Sequence, residues 1–442
     1  MRRIFFIILI FGLPILSYCQ DSLSWRPDKN KIVIPFKFVN NLIVFPVVVN
    51  KVKFQFILDT GVEKTVLFNL ENIEELNLFD VEKISLKGLG SGAAFEALKS
   101  NNNTMEIEGM KDFKHTLYII SDGDINFSSQ LGIPVHGITG YNFFKNNIVE
   151  INYSSRKIIV YKSLEDVRPR KLKKYDVLDI SIEKGKPYVM SAVVLEEGLP
   201  IPVKLLVDSG STNALFLFED TNERLKIPAH NFEDYLGTGF SGDIYGRRSK
   251  VAELYFGKEM FQYPLAAFPD DASLQHLSIV QGRNGSVGNE VLKRFSLIFD
   301  YRNNTLYYKK NKYFLTPFHY NMSGIDIEHS GKQWIADDKG IFVSNLSSNS
   351  TSNFNIGGND FRYNYILKPI YRITNVRKDS PGGVAGLLKD DILVSINNRP
   401  AYRYSIQQIT DLLQSEEGRV VKMQVRRKNQ VLEYEFRLKN IL

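Results

Sequence analysis

Two short segments carry the residues best suited to chemistry. Asp59-Thr60-Gly61 ends the apolar run Phe56-Ile57-Leu58, and Asp208-Ser209-Gly210 ends Leu205-Leu206-Val207. The two aspartates stand 149 residues apart. A single carboxylate at a strand end is an ordinary turn or cap residue. Two in matching settings allow more. If the segments face each other across a pseudo-two-fold axis, their carboxyls meet. Like charges in contact cannot both ionise, so the pair shares one proton, and one member serves as base while the other serves as acid. The base activates a water and the acid polarises a carbonyl. That is direct hydrolysis of an amide, with no covalent intermediate and no metal. Gly61 and Gly210 let backbone approach the carboxylates. Thr60 and Ser209 each supply a hydroxyl able to bond across the interface. Ser211 follows the second motif where Val62 follows the first. A Ser211 hydroxyl donated to Asp208 would make Asp208 the more acidic member.

Further landmarks keep the same spacing. Gly88-Leu89-Gly90 matches Gly237-Thr238-Gly239 at an offset of 149. Gly137-Ile138-Thr139-Gly140 matches Gly285-Ser286-Val287-Gly288, and Ile151-Asn152-Tyr153 matches Phe299-Asp300-Tyr301, both at 148. Four landmarks in register within one residue indicate a duplicated unit. Each copy reads as β-rich. Leu42 to Val49, Phe54 to Leu58, Ile148 to Tyr153 and Lys157 to Tyr161 are short β-branched and aromatic runs bounded by Asn, Gly and Ser. Tyr188 to Leu195, Val203 to Val207, Phe295 to Tyr301 and Thr305 to Tyr308 repeat the pattern. The basic stretch Arg168 to Lys174 between the copies reads as a solvated linker.

The duplicated set resembles the aspartic proteases of the retropepsin and pepsin group, over about residues 30 to 312. The resemblance implies a mainly β, bilobal acid-protease fold, with lobe 1 at 30–165 and lobe 2 at 175–312. It makes Asp59 and Asp208 the catalytic dyad, with Thr60, Gly61, Ser209, Gly210 and Ser211 in support. A Gly-rich hairpin forms a flap over the substrate in that family, and Gly88, Gly90, Gly237 and Gly239 stand where such a hairpin could begin. There are departures. Val62 replaces the Ser or Ala frequent in the family, Ser286 interrupts an apolar element, and only Tyr245 is a candidate for the flap tyrosine.

After Lys312 the pattern changes. Tyr371 to Val376 alternates as a strand, and Ser380-Pro381-Gly382-Gly383-Val384-Ala385-Gly386-Leu387 reads as a turn and short helix. Ser405 with Gln408 three residues on is a capping box. Ile406, Ile409, Leu412 and Leu413 then share one helix face. Val420 to Val425 and Leu432 to Phe436 close as strands. This order is similar to a PDZ domain of the bacterial protease type, spanning about 317–442 with a polar insertion at about 330–365. The resemblance implies a module that binds a peptide C-terminus or an extended peptide as an added strand. Met322-Ser323-Gly324-Ile325 matches its carboxylate-binding loop.

Composition narrows the remaining classes. The 442-residue chain has 43% hydrophobic and 24% charged residues, the mixture of a folded protein. Its excess of seven basic residues is spread along the chain and gives no nucleic-acid footprint. A single cysteine, Cys19, excludes a disulfide framework and a Cys-built zinc site. The histidines form no metal motif, so no cofactor is expected. Arg2 and Arg3, the apolar run Ile4 to Leu16 and Ser17 to Gln20 have the order of a secretory signal over 1–19. No later run is long enough for a transmembrane anchor. The chain is therefore expected in the periplasm or outside the cell. The rival, a lipid anchor on Cys19, wants a small residue where Tyr18 stands. The expected function is an exported aspartic-type endopeptidase with a peptide-binding PDZ module. The alternatives are an inactive peptide-binding scaffold of the same fold, and a peptidase that matures one partner.

Overall fold

The computed structural model describes residues 23–25, 28–68, 70, 76–86, 95–120, 126–239, 242–274, 279–336 and 365–442. The expected signal at 1–19 with Cys19, the flap candidates Gly88 and Gly90, and most of the polar insertion lie outside these residues. The described residues are mainly β and form three sheets.

The centre of the molecule is six strands of the largest sheet. Their order is Lys31–Pro35, Lys157–Tyr161, Ile148–Asn152, Phe295–Asp300, Thr305–Lys310, Asp176–Glu183. Ile148–Asn152 and Phe295–Asp300 are antiparallel, with Ile148 opposite Asp300, Glu150 opposite Ile298 and Asn152 opposite Ser296. Glu150 and Ile298 are themselves duplicate positions, 148 residues apart. The pairing therefore maps onto itself when the copies are exchanged, and a pseudo-two-fold axis passes through it. Every residue of Phe295–Asp300 is buried, which is why this segment reads as a continuous apolar run and not an alternating one.

Glu150 brings a carboxylate into this buried centre. It accepts hydrogen bonds from Tyr161 at 3.0 Å and Tyr175 at 3.3 Å, and pairs with Lys171. The basic stretch 168–174 is thus more than the solvated linker that its composition suggests. Its short helix Pro169–Leu172 brings Lys171 to Glu150. A buried carboxylate needs such partners.

Each half then repeats one arrangement. In the first, Val52–Leu58 runs parallel to Gly137–Thr139, with Phe56 opposite Gly137. Thr65–Leu67 pairs antiparallel with the same short strand. In the second, Ile201–Asp208 runs parallel to Arg283–Gly288, with Leu205 opposite Gly285, and Leu215–Leu217 supplies the antiparallel neighbour. Even the bridging side chains correspond. His136 Nδ1 accepts from the Gln55 amide at 3.2 Å, and Asn284 Oδ1 accepts from the equivalent Lys204 amide at 2.8 Å. One contiguous core cluster draws on both halves, from Phe45 and Phe56 to Leu215 and Phe299.

The C-terminal module is a six-stranded sheet in the order Ile325–Ala336, Tyr365–Val376, Ile392–Ile396, Val420–Arg427, Gln430–Arg437, with Arg399–Pro400 beside Ile392–Ile396. The helix Ile406–Leu413 starts at the expected capping box and buries Ile406, Ile409 and Leu413. The module touches both halves. The Gln407 side chain accepts from the Asn40 amide of the first half at 2.6 Å, and Arg377 pairs with Asp234 of the second at 3.4 Å. No described helix is long and apolar enough to cross a membrane.

The central pairing generates a stability test. Glu150→Ala leaves the Tyr161 and Tyr175 hydroxyls and Lys171 without their acceptor, and urea unfolding should register a loss of about 2 kcal/mol. Glu150→Gln, which keeps an acceptor, should lose less.

Candidate active site

Asp59 and Asp208 sit at equivalent positions, each leaving its strand toward the junction of the halves. The Asp59 amide donates to Thr139 O at 3.0 Å, tying it to the short parallel strand. Each carboxylate then closes a tight turn, with the Gly61 amide donating to Asp59 Oδ1 at 2.7 Å and the Gly210 amide to Asp208 Oδ1 at 2.9 Å. The residues between make a reciprocal exchange. Thr60 N donates to Ser209 Oγ at 3.0 Å, and Ser209 N donates to Thr60 Oγ1 at 2.9 Å. Thr60 Oγ1 donates in turn to Val207 O at 2.6 Å, and Ser209 Oγ donates to Leu58 O at 2.9 Å. Thr60 and Ser209 are fully buried.

This exchange brings the carboxyls together. A Cβ on Gly61 would lie 3.0 Å from Asp59 Oδ1 and 2.9 Å from Asp208 Oδ1, so one small region touches both. A Cβ on Gly210 would lie 2.2 Å from Asp59 Cγ. The turns admit only glycine for this steric reason, and neither glycine needs a left-handed backbone. Both aspartates remain part-exposed, on the floor of the junction.

The electrostatics separate the two groups. Burial, then the Asp208 charge, pushes Asp59 up to about 8. Burial also raises Asp208, but the Arg283 guanidinium opposes that rise. Asp208 is therefore the member favoured as carboxylate, and Asp59 the member favoured as acid. Ser211 does not produce this bias. Its hydroxyl is buried with no hydrogen-bond partner and lies beside Gly288. The residue responsible is Arg283, buried in the strand Arg283–Gly288, with Nε donating to Gly285 O at 3.0 Å and its guanidinium over the Phe218 ring. Lys186 is the second cation facing the pair, and its own pKa is lowered by burial and then by Arg283.

Sequence reasoning missed Arg283, Lys186 and Asn289. Asn289 Nδ2 donates to Ser209 O at 2.6 Å, and Tyr153 Oη of the other half donates to Asn289 Oδ1 at 2.6 Å. A signal for Arg283 existed. Its duplicate position holds Val135, so one copy carries a charge where the other carries an apolar residue.

The flap candidates Gly237 and Gly239 lie in the hairpin formed by Asn231–Gly239 and Gly242–Lys250, with a bulge between Tyr235 and Gly237. Gly237 has φ 138°, and a side chain there would meet nothing within 4 Å. Near the tip, Thr238 accepts a hydrogen bond from Gln130 of the first half at 2.8 Å, so the hairpin spans the junction. At its base, Arg248 links Asp234 at 2.7 Å to Asn213 at 2.9 Å, beside the Asp208 turn. Tyr245, the sequence candidate for a tyrosine over the pair, instead lines a cavity of about 790 Å³ with Phe218, Phe268 and Asp270. Neither Asp59 nor Asp208 lines that cavity.

The fourth proposed element, Met322 to Ile325, is wholly buried at the start of the strand Ile325–Ala336. A PDZ domain family model matches residues 372–427, so the C-terminal module contains a PDZ domain, a fold that binds peptides or partners. The matched residues omit Ile325–Ala336, although that strand extends the same sheet. No curated protein matches the chain.

The junction yields two expectations. Gly210→Ala forces a methyl into Asp59 and should abolish any chemistry that needs the paired carboxyls, while far-ultraviolet circular dichroism stays near wild type. Thr60→Val removes both the acceptor for Ser209 N and the donor to Val207 O. Chemical denaturation should show it to be less stable by roughly 2 kcal/mol, since each buried group left unsatisfied costs about 1–3 kcal/mol.

Proposed function

We propose that the chain is an exported aspartic-type endopeptidase of the bilobal acid-protease fold, acting in the periplasm or outside the cell, with a PDZ module that holds polypeptide. The observation that carries this reading is the contact between two carboxyls at a duplicated, part-exposed junction. The repeated Asp-Thr/Ser-Gly turns, their reciprocal exchange and the symmetric central strands support the fold. The charged, apolar, small-residue order of residues 1–19 supports export.

The chemistry follows from the geometry. Asp208, favoured as carboxylate by Arg283, accepts a proton from an attacking water. Asp59, favoured as the protonated acid, donates to the oxygen of the scissile carbonyl and stabilises the charge that develops there. The tetrahedral adduct then collapses as Asp208 gives the proton it took from water to the leaving nitrogen, and Asp59 recovers a proton from the adduct's hydroxyl as the carbonyl re-forms. Atoms balance with water as the only co-reactant. The exchange between Thr60 and Ser209 keeps the carboxyls in place through these transfers, which is preorganisation.

Denatured casein offered to the chain from residue 20 onward tests the reading. Hydrolysis should be present in the wild type and lost in both Asp59→Asn and Asp208→Asn. Turnover that survives either change, or that is absent at every pH, removes the proposal. The pH profile should fall on the alkaline side near 8, where Asp59 gives up its proton. The acid limb follows protonation of Asp208. Removing the guanidinium raises the Asp208 pKa, so Arg283→Met should move the acid limb to higher pH by about one unit. Movement in the opposite direction would show that Arg283 has another role.

A further inference from the structure

Around the carboxyls the two halves differ in charge at a second pair of duplicate positions. Val44 stands opposite Ile57, and Tyr188 opposite Leu206. Ile57 and Leu206 are duplicates at the 149-residue offset. Val44 therefore corresponds to Tyr188 and, two residues earlier, Leu42 corresponds to Lys186. Each opens its strand, Leu42–Val49 in the first half and Lys186–Val194 in the second. The same register, carried to the strand ends, sets Leu42 against Asp59 and Lys186 against Asp208. Leu42 is buried in one apolar cluster with Val135, the duplicate of Arg283. The first half thus holds two buried apolar side chains where the second holds an ammonium and a guanidinium.

Lys186 stands where the halves meet. The turn before it packs on the first half, since a Cβ on Gly185 would lie 2.8 Å from Tyr141 Cγ. Its charge reaches both Asp59 and Asp208. Yet among the described residues it makes no hydrogen bond and no ion pair. The one other carboxylate acting on it, Glu63, is exposed. The aspartate pair keeps a proton, so it sets one negative charge against the two positive charges of Lys186 and Arg283. Lys186 is also half-buried, and an ammonium out of water without a partner is unfavourable. An incoming carboxylate offsets that cost through a charge-assisted hydrogen bond. Arg283 adds its field while its Nε stays committed to Gly285 O.

We infer that Lys186, together with Arg283, selects substrates that carry a carboxylate close to the scissile bond, on one side of it only. The inference rests on the protease reading and gives it a substrate class. An extended chain advances about 3.3 Å per residue, so a group opposite Asp208 meets side chains within about three residues of the cut. The carboxylate is the side chain of an Asp or Glu, or the free end of the substrate chain. The other side of the cut meets no such selection, because Leu42 and Val135 replace the two cations there.

The test digests a random peptide library with the full chain at about pH 6, where a substrate Glu, with its ordinary pKa of about 4.3, is ionised. The library is made in two forms, one with free C-termini and one amidated, and the cut bonds are read by mass spectrometry. Asp and Glu enriched at one position on one side of the cut, in both forms, assign the carboxylate to a side chain. Cuts near the C-terminus of the free form that vanish on amidation assign it to the chain end. Equal use of acidic and neutral residues in both forms would overturn the inference and leave the protease reading standing. Absence of any cutting that depends on Asp59 removes that reading, and the inference with it. For a peptide that is cut, kcat/KM with the selected carboxylate should exceed that of its carboxamide counterpart by about tenfold, as one hydrogen bond to a charged group provides. Lys186→Leu, which installs the first half's own residue, should bring this ratio to about one, mainly through KM, while Lys186→Arg should keep it. An unchanged ratio in folded Lys186→Leu would overturn the inference. Should Lys186→Leu not fold, Lys186→Gln takes its place under the same criterion.

Discussion

The structure depends on two hydroxyls that each serve the opposite half. Thr60 and Ser209 accept from each other's amides and donate to the carbonyls that precede each other's aspartates. Each group is buried and each has its partners, so separating the halves would break four hydrogen bonds at once. That constraint decides how the carboxyl repulsion is relieved. The exchange holds the two turns together and the Gly61 and Gly210 amides hold the carboxylates within them, so the pair retains a proton instead. The closeness of the two carboxyls is thus imposed by their uncharged neighbours.

The C-terminal module acts on the same junction from outside. It contacts the first half through Gln407 and Ile406 and the second through Arg377. From Arg377 a continuous series of polar contacts runs through Asp234 and Arg248 to Asn213, five residues beyond Asp208. Phe232 on the same hairpin packs on Tyr320 and beneath Arg377. The hairpin that crosses to Gln130 at its tip is therefore held at its base by the PDZ side of the molecule. Two halves that meet through strands at one end are bridged again at the other.

Much of this was legible in the residues. The duplicate motifs, the strands Leu42–Val49, Ile148–Asn152, Phe295–Asp300 and Thr305–Lys310, and the capped helix at Ser405 follow from apolar runs, turn residues and a capping box that act locally. The long strand Phe95–Ile107 was not legible, because its centre is Ser100-Asn101-Asn102-Asn103-Thr104, a sequence that reads as a loop. The strand is bulged there, with Asn102 at φ 56°, and the buried Asn103 side chain holds the bulge by donating to Ser100 O and to His115 O of the neighbouring strand. Arg283 was missed for a related reason. Its effect on Asp208 depends on the course of a side chain along the sheet, which no spacing rule conveys. The role assigned to Ser211 failed because a hydroxyl three residues after an aspartate has several reachable directions, and packing turns this one toward Gly288.

The Arg283–Val135 difference has a consequence for how such a site can be built. A junction assembled from two identical chains would carry the guanidinium twice, and the two fields would cancel between the carboxyls. With both copies in one polypeptide, a single substitution in one of them places the guanidinium beside one carboxyl alone, and the two members of the pair are unequal from the start.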